Sequence, residues 1–168
     1  FIPAVEVEFG KDNVIVIKDA QGGQPIRRWY KEWKSATGEV PESTGDLYDR
    51  LMEKVYPSVE GQNIQTATFI WMQGEADAKA RDGEVYAARL EGIIEQLRAD
   101  LDHKNINVVL GRLSDFGMDN NKFPHWTMIR NAQEAFAELD PRFAWVDTDD
   151  LNDGADSKGR VRPNALHY

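Results

Sequence analysis

The chain of 168 residues is predicted to be an α/β protein with a mainly parallel sheet. Strand-like and helix-like segments alternate along it, the pattern of strand, crossover helix and strand. Its short apolar runs are rich in β-branched and aromatic residues and close on Gly, Gln or Asp. Between the runs, apolar residues recur at three- and four-residue steps. A parallel sheet built this way is expected to carry helices on both faces.

In chain order, Val14, Ile15, Val16 and Ile17 form the first strand-like run, which ends at Ala20, Gln21, Gly22 and Gly23. Thr44 to Val55 places Leu47, Leu51 and Val55 at fourfold spacing behind Ser43 and Thr44, which predicts an amphipathic helix. Thr66 to Met72 contains no breaker before Gly74 and predicts a buried second strand. Gly83 to Leu101 has the strongest helical pattern, with Tyr86, Leu90, Ile93, Ile94, Leu97 and Leu101 on one stripe. Ile106 to Leu110 predicts a third strand. Trp126 to Leu139 predicts a helix with Ile129, Phe136 and Leu139 inward, and Phe143 to Val146 a fourth strand. Asp147 to Pro163 is a long polar loop, a feature that is usually functional or disordered.

Composition narrows the function. A chain of this length fits one domain and buries roughly 70% of its unfolded surface. Lys and Arg number 20 against 29 Asp and Glu, a net charge of −9, and no basic stripe interleaves with aromatics, so nucleic acid is not an expected partner. Without cysteine there is neither a disulfide framework nor a thiolate metal site. No apolar run approaches the roughly 20 residues that span a bilayer, so no membrane partner is expected.

The densest chemistry lies in WMQGEAD, Trp71 to Asp77, at the end of the second predicted strand. Ligands of α/β sheets bind at such strand ends. The Gln73 amide can donate to a developing oxyanion, Gly74 permits a tight turn, and Glu75 can orient a histidine. That set suits acyl transfer, and the alternative is a solvated polar turn. After the first strand, Gly22 and Gly23 leave backbone N–H groups open to close approach. A phosphate loop is excluded there, because Pro25 and Ile26 stand where Lys and Ser or Thr would be needed. His167, after the long loop, could converge with these groups; alone it also fits an ordinary surface histidine. His103 and His125 lack metal-ligand spacing, and no metal is expected. The acidic run Asp147, Asp149, Asp150 and Asp153 lacks the central Gly and closing Glu of a calcium loop. Of Trp29, Trp33, Trp71, Trp126 and Trp145, most are expected in the core, with one or two free to stack on sugar rings.

Four segments occur in a fixed order: AQGGQPIRRW (Ala20 to Trp29), WMQGEAD, NVVLGRLSDFG (Asn107 to Gly117) and ALHY (Ala165 to Tyr168). Together they resemble the SGNH-type esterases of the sialate O-acetylesterase and acetylxylan esterase group, carbohydrate esterase family six. The resemblance implies a three-layer α/β/α sandwich of flavodoxin-like architecture and serine-dependent removal of acetyl groups from an acetylated carbohydrate. It implies no metal and no organic cofactor, and it favours a secreted or periplasmic location. By the same resemblance Gly22 or Gly23 donates a backbone N–H to the oxyanion, Gln73 holds the place of an asparagine in other SGNH hydrolases, His167 is the general base and Glu75 its acid partner.

Two positions depart from that pattern. The family carries its nucleophilic serine after a first strand, upstream of the GG block, and Phe1 to Gly22 contains no serine. Ser35, Ser43, Ser58, Ser114 and Ser157 stand in other contexts. The expectation is a single domain whose N-terminal strand with the nucleophile, and whose C-terminal end, lie outside the 168 residues. Asn164 stands where the family often has the aspartate of a DxxH motif, which leaves Glu75, then Asp153 or Asp156, as partner of His167. The expected function is a carbohydrate O-acetylesterase. A catalytically inactive carbohydrate-binding relative is the alternative from another class, and a lipase or thioesterase would need an apolar acyl groove.

Overall fold

A computed structural model of the chain describes residues 2–35, 37–39, 41, 43–116, 118 and 121–151. Three β-branched and aromatic runs become parallel strands: β1 (Ala67–Trp71), β2 (Ile106–Gly111) and β3 (Phe143–Val146), in the order β1-β2-β3. Ala67 pairs with Ile106 and Trp71 with Leu110, and Val108 in turn pairs with Phe143. Helices supply the crossovers. After α1 (Ile2–Phe9) and α2 (Asp46–Val59), α3 (Glu75–Ala80) and α4 (Gly83–Asp100) link β1 to β2, and α5 (Trp126–Ala137) links β2 to β3.

The stripe read from the sequence packs as expected in α4, where Tyr86, Leu90, Ile93, Ile94 and Leu97 are all buried. Each such side chain contributes about 1.5–3 kcal/mol on leaving water. They meet Leu47, Tyr48 and Met52 of α2, Ile129 and Phe136 of α5, and Ile106, Val108 and Leu110 of β2 in one core. Trp29, Trp33, Trp71 and Trp126 are in that core too, with Trp29 and Trp71 edge to face at 5.2 Å. Trp145 lies at its margin beneath the Arg112 guanidinium, 4.5 Å from the ring centre.

Three expectations are corrected. Val14 to Ile17 form no strand: Val14 has extended backbone angles, but the segment joins no ladder, and Ile15 and Val16 are exposed. Helix α2 begins after Gly45, at φ 73, and Thr44 does not cap it, because its hydroxyl donates to the Lys31 carbonyl at 2.9 Å. Leu139 lies beyond the end of α5 and is 74% exposed. Among the described residues, the parallel three-stranded sheet with its five helices accords with the expected α/β/α architecture. Residues of β2 alternate between buried and half-buried, and Ile70 of β1 and Val146 of β3 are 47% and 52% exposed.

Candidate functional site

The site is built where β1 ends. Gln73 follows the strand with its carbonyl fixed from two sides: the Tyr86 hydroxyl donates to it at 2.8 Å and Gln133 Nε2 at 2.9 Å. Gln133 is fully buried, and its Oε1 accepts from the Leu113 amide at 2.9 Å, so the ends of β1 and β2 are tied through α5. Trp71 Nε1 completes the net by donating to the Tyr86 hydroxyl at 3.1 Å. Gly74 turns the chain into α3 with φ 146, and a Cβ there would stand 2.9 Å from Ile129 Cγ2 and 3.1 Å from Leu113 Cδ1. Only glycine meets both demands.

The side chain of Gln73 is buried and points its amide at the loop that follows the first apolar run. Its Nε2 donates to the Gln24 carbonyl at 2.9 Å and to Asp77 Oδ2. Asp77, 0% exposed, also accepts the Ile26 backbone N–H, at 3.2 Å on Oδ1 and 2.9 Å on Oδ2. Burial outweighs these bonds and pushes its carboxyl up to about 6. Thus Gln73 and Asp77 pin the segment Gln24–Ile26 against the end of β1. The Gly22–Gly23 turn leads into that segment, exposed, with no atom within 4 Å of where a Cβ would stand at either glycine.

The structure therefore brings together Gly22, Gly23 and Gln73 from the expected set. Glu75 is the first residue of α3, half-buried two positions from Gln73, where a carboxylate is favoured by the helix dipole. Both amide hydrogens of Gln73 have protein acceptors, so an oxyanion would have to replace one of them, the Gln24 carbonyl being the neutral one. His167, and with it the expected pairing with Glu75, lies outside the described residues, as do Asp153, Asp156, Ser157 and Asn164. His125 is a packing residue: its Nδ1 accepts the Gly83 amide at 3.1 Å. Ser114, at the end of β2, is 2% exposed, and its hydroxyl has no hydrogen-bond partner, while its carbonyl accepts from Trp126 Nε1 at 2.7 Å.

Two parts of the arrangement were not anticipated from the sequence. Asp77, the last residue of WMQGEAD, has no role in the sequence reading, although its place four residues after Gln73 is a readable signal. Arg112 and Arg130 gave no signal, because isolated arginines carry no pattern. They converge after β2 and β3: Arg130 grips Asp149 with two nitrogens, at 2.7 and 2.9 Å, while Arg112 bonds Glu134, Asp147 and Asp149. The Arg130 bonds hold the Asp149 carboxyl below its ordinary range. Two members of the acidic run, Asp147 and Asp149, are therefore partners of arginine.

Parallel strands whose following loops are pinned together by buried polar side chains define an α/β protein whose candidate site lies at the carboxyl ends of its strands. Over residues 1–160 the chain matches the family model of carbohydrate esterases described as sialic acid-specific acetylesterase, and it belongs to that family. No curated protein matches the chain. A protein of known X-ray structure from Arabidopsis thaliana is similar in fold, with a TM-score of 0.66 and 21% identity over 97% of this chain. The chain spans 59% of that plant protein's length. No described helix is long and apolar enough to cross a membrane.

Proposed function

We propose that the protein is a serine-dependent O-acetylesterase acting on an acetylated sugar or polysaccharide, with one SGNH-type domain extending beyond Phe1 to Tyr168. The observation that carries this reading is the docking of the Gly22–Gly23 turn onto the end of β1 through Gln73, in a chain of the carbohydrate esterase family. The nucleophile is a serine outside these residues, because none precedes the GG block. His167 takes its proton as it attacks the acetyl carbonyl, and Glu75 orients the imidazole and stabilises its cation. A Gly22 or Gly23 N–H holds the oxyanion, and Gln73 adds a second donor by releasing the Gln24 carbonyl. A preorganised donor of this kind is worth about 10² to 10³ in kcat. Protonated His167 then gives its proton to the departing sugar oxygen, which leaves as a hydroxyl, and water attacks the acetyl-serine in the same way to free acetate and restore the serine.

A panel of O-acetylated sialic acid, xylan oligomers and other acetylated sugars, given to the full-length protein with acetate release as readout, tests the reading and selects the sugar. Gln73→Ala should lower kcat by about 10² to 10³ with the fold retained. Binding of these sugars without acetate release would instead establish the non-catalytic relative, a reading that the lack of serine before Gly22 keeps in play.

A further inference from the structure

We propose that Asp77 is a positioning residue of this site: by accepting from both the Ile26 amide and the Gln73 side chain, its carboxylate fixes the glycine turn and the Gln73 donor relative to each other. The proposal rests on the reading of Gly22, Gly23 and Gln73 as the groups that hold the oxyanion. Its basis is geometric. Ile26 and Asp77 are 51 positions apart, and the two-oxygen contact of this one carboxylate reaches the backbone of the first loop while also holding the amide of the second.

An ionised carboxylate only accepts, and all three N–H contacts here point at it. It thereby decides which end of the Gln73 amide faces the loop. Gln73 Oε1 is buried without a partner, so a protonated Asp77 has a ready acceptor for its O–H if that amide turns over. Turned over, the amide would present Oε1 rather than N–H to Asp77 and lose its hold on the Gln24 carbonyl. Asn in place of Asp77 has nearly the same shape but one acceptor in place of two, so in either orientation its NH2 group opposes the Ile26 N–H and loosens the hold on the first loop. The charged groups around Asp77 are few. Asp82, beyond α3, raises its carboxyl by like charge, and Arg27 and His125 act on Asp82 in turn. Glu75 lies on the same helix, and Tyr86 of α4 is held neutral by burial.

The test uses the full-length protein and two readouts. In the wild type without substrate, the Ile26 amide and the Gln73 side-chain NH2 protons should titrate together by NMR, with one midpoint near the pH of about 6 expected for the Asp77 carboxyl. In kinetics on an acetyl ester, Asp77→Asn should lower kcat about tenfold or more with KM within about twofold, the sign of an interaction made in the transition state. With Gln73→Ala already present, the same change should cost less than about threefold, because Asp77 acts through a group that is gone. Ile26 and Gln73 signals that do not move with pH would overturn the proposal, and so would a kcat loss that is fully additive with Gln73→Ala. If Asp77→Asn does not fold, the wild-type titration still decides. A wild type that hydrolyses no acetyl ester would remove the esterase reading, while the same titration would still decide whether Asp77 couples the two loops.

Discussion

At Gly74 a single hydrogen atom is what lets the motif close. Its φ of 146 lies where side chains are strained, and the nearest atoms to an added Cβ belong to packed Ile129 and Leu113. Gly74→Ala should therefore cost about 1–3 kcal/mol or more in urea or thermal unfolding. A change under about 0.5 kcal/mol would mean that the turn relaxes freely. Next to it, Glu75→Gln in the full-length protein should lower kcat by about 10² to 10⁴ with little change in KM if the carboxylate stabilises the His167 imidazolium. Turnover close to wild type would move that role to the Asp153 to Asp156 loop or leave a serine–histidine pair. Asp77 adds a pH signature of unusual sign. Its native carboxyl is raised to about 6, so between its ordinary value and 6 the folded state binds more protons than the unfolded one. Its contribution to stability is thus fully present below that window and lost as pH rises through 6. Asp77→Asn should flatten this part of the stability profile measured by urea unfolding from pH 4 to 7. A wild-type profile already flat there would show that the carboxylate stays ionised throughout.

At the scale of elements, what could be read from sequence was what local pattern determines. The α4 stripe holds because a 3.6-residue period and an apolar face are properties of neighbours in sequence, and all but Leu101 of its six expected residues are fully buried. The run Val14 to Ile17 has equally strong β character but is not a strand, because a strand exists only by pairing, and no described strand pairs with it. What fixes this segment instead is Asp19, held by Arg50 and Lys54 of α2, which keep its carboxyl below the ordinary range. The candidate site divides in the same way. Gly22, Gly23 and Gln73 were legible because glycine pairs and strand-end amides have local signatures, whereas the Asp77 link to Ile26 spans 51 positions. The arginine pair behind β2 and β3 belongs with the illegible part. It secures the segment that follows β3: Arg130 also donates to the Leu113 carbonyl, and the Thr148 hydroxyl to that of Arg112 at 2.7 Å. Removing one partner leaves buried groups unpaired, so Arg130→Met should destabilise the protein by about 2–4 kcal/mol. An unfolding midpoint unchanged from wild type would reduce the pair to a surface contact.

At the scale of the whole molecule, β1 and β3 are the edge strands of the described sheet, and the segment Gln24–Ile26 docks beyond the end of β1 through Gln73 and Asp77. Strands β1, β2 and β3 advance in one direction, so no reversal of order, the place where α/β sheets bind ligands, falls within the described sheet. Among the described residues β1 has no strand on its other side, and the unpaired Val14 to Ile17 run is exposed at Ile15 and Val16. A strand inserted beside β1 would end beside Gln73 and the glycine turn, where the reading of the function requires a serine. Phe1 to Tyr168 expressed alone should therefore be aggregation-prone, through its unpaired edge, and should hydrolyse p-nitrophenyl acetate no faster than its His167→Ala variant. A longer protein that includes the upstream strand should be active and should be labelled by a fluorophosphonate at one serine, located by peptide mass spectrometry. Ser114 is the informative control, because it stands at a strand end yet is too buried for an acyl group to reach. Labelling at Ser114, or at any serine between Phe1 and Tyr168, would defeat the assignment, as would a longer protein with no serine ahead of the glycine pair.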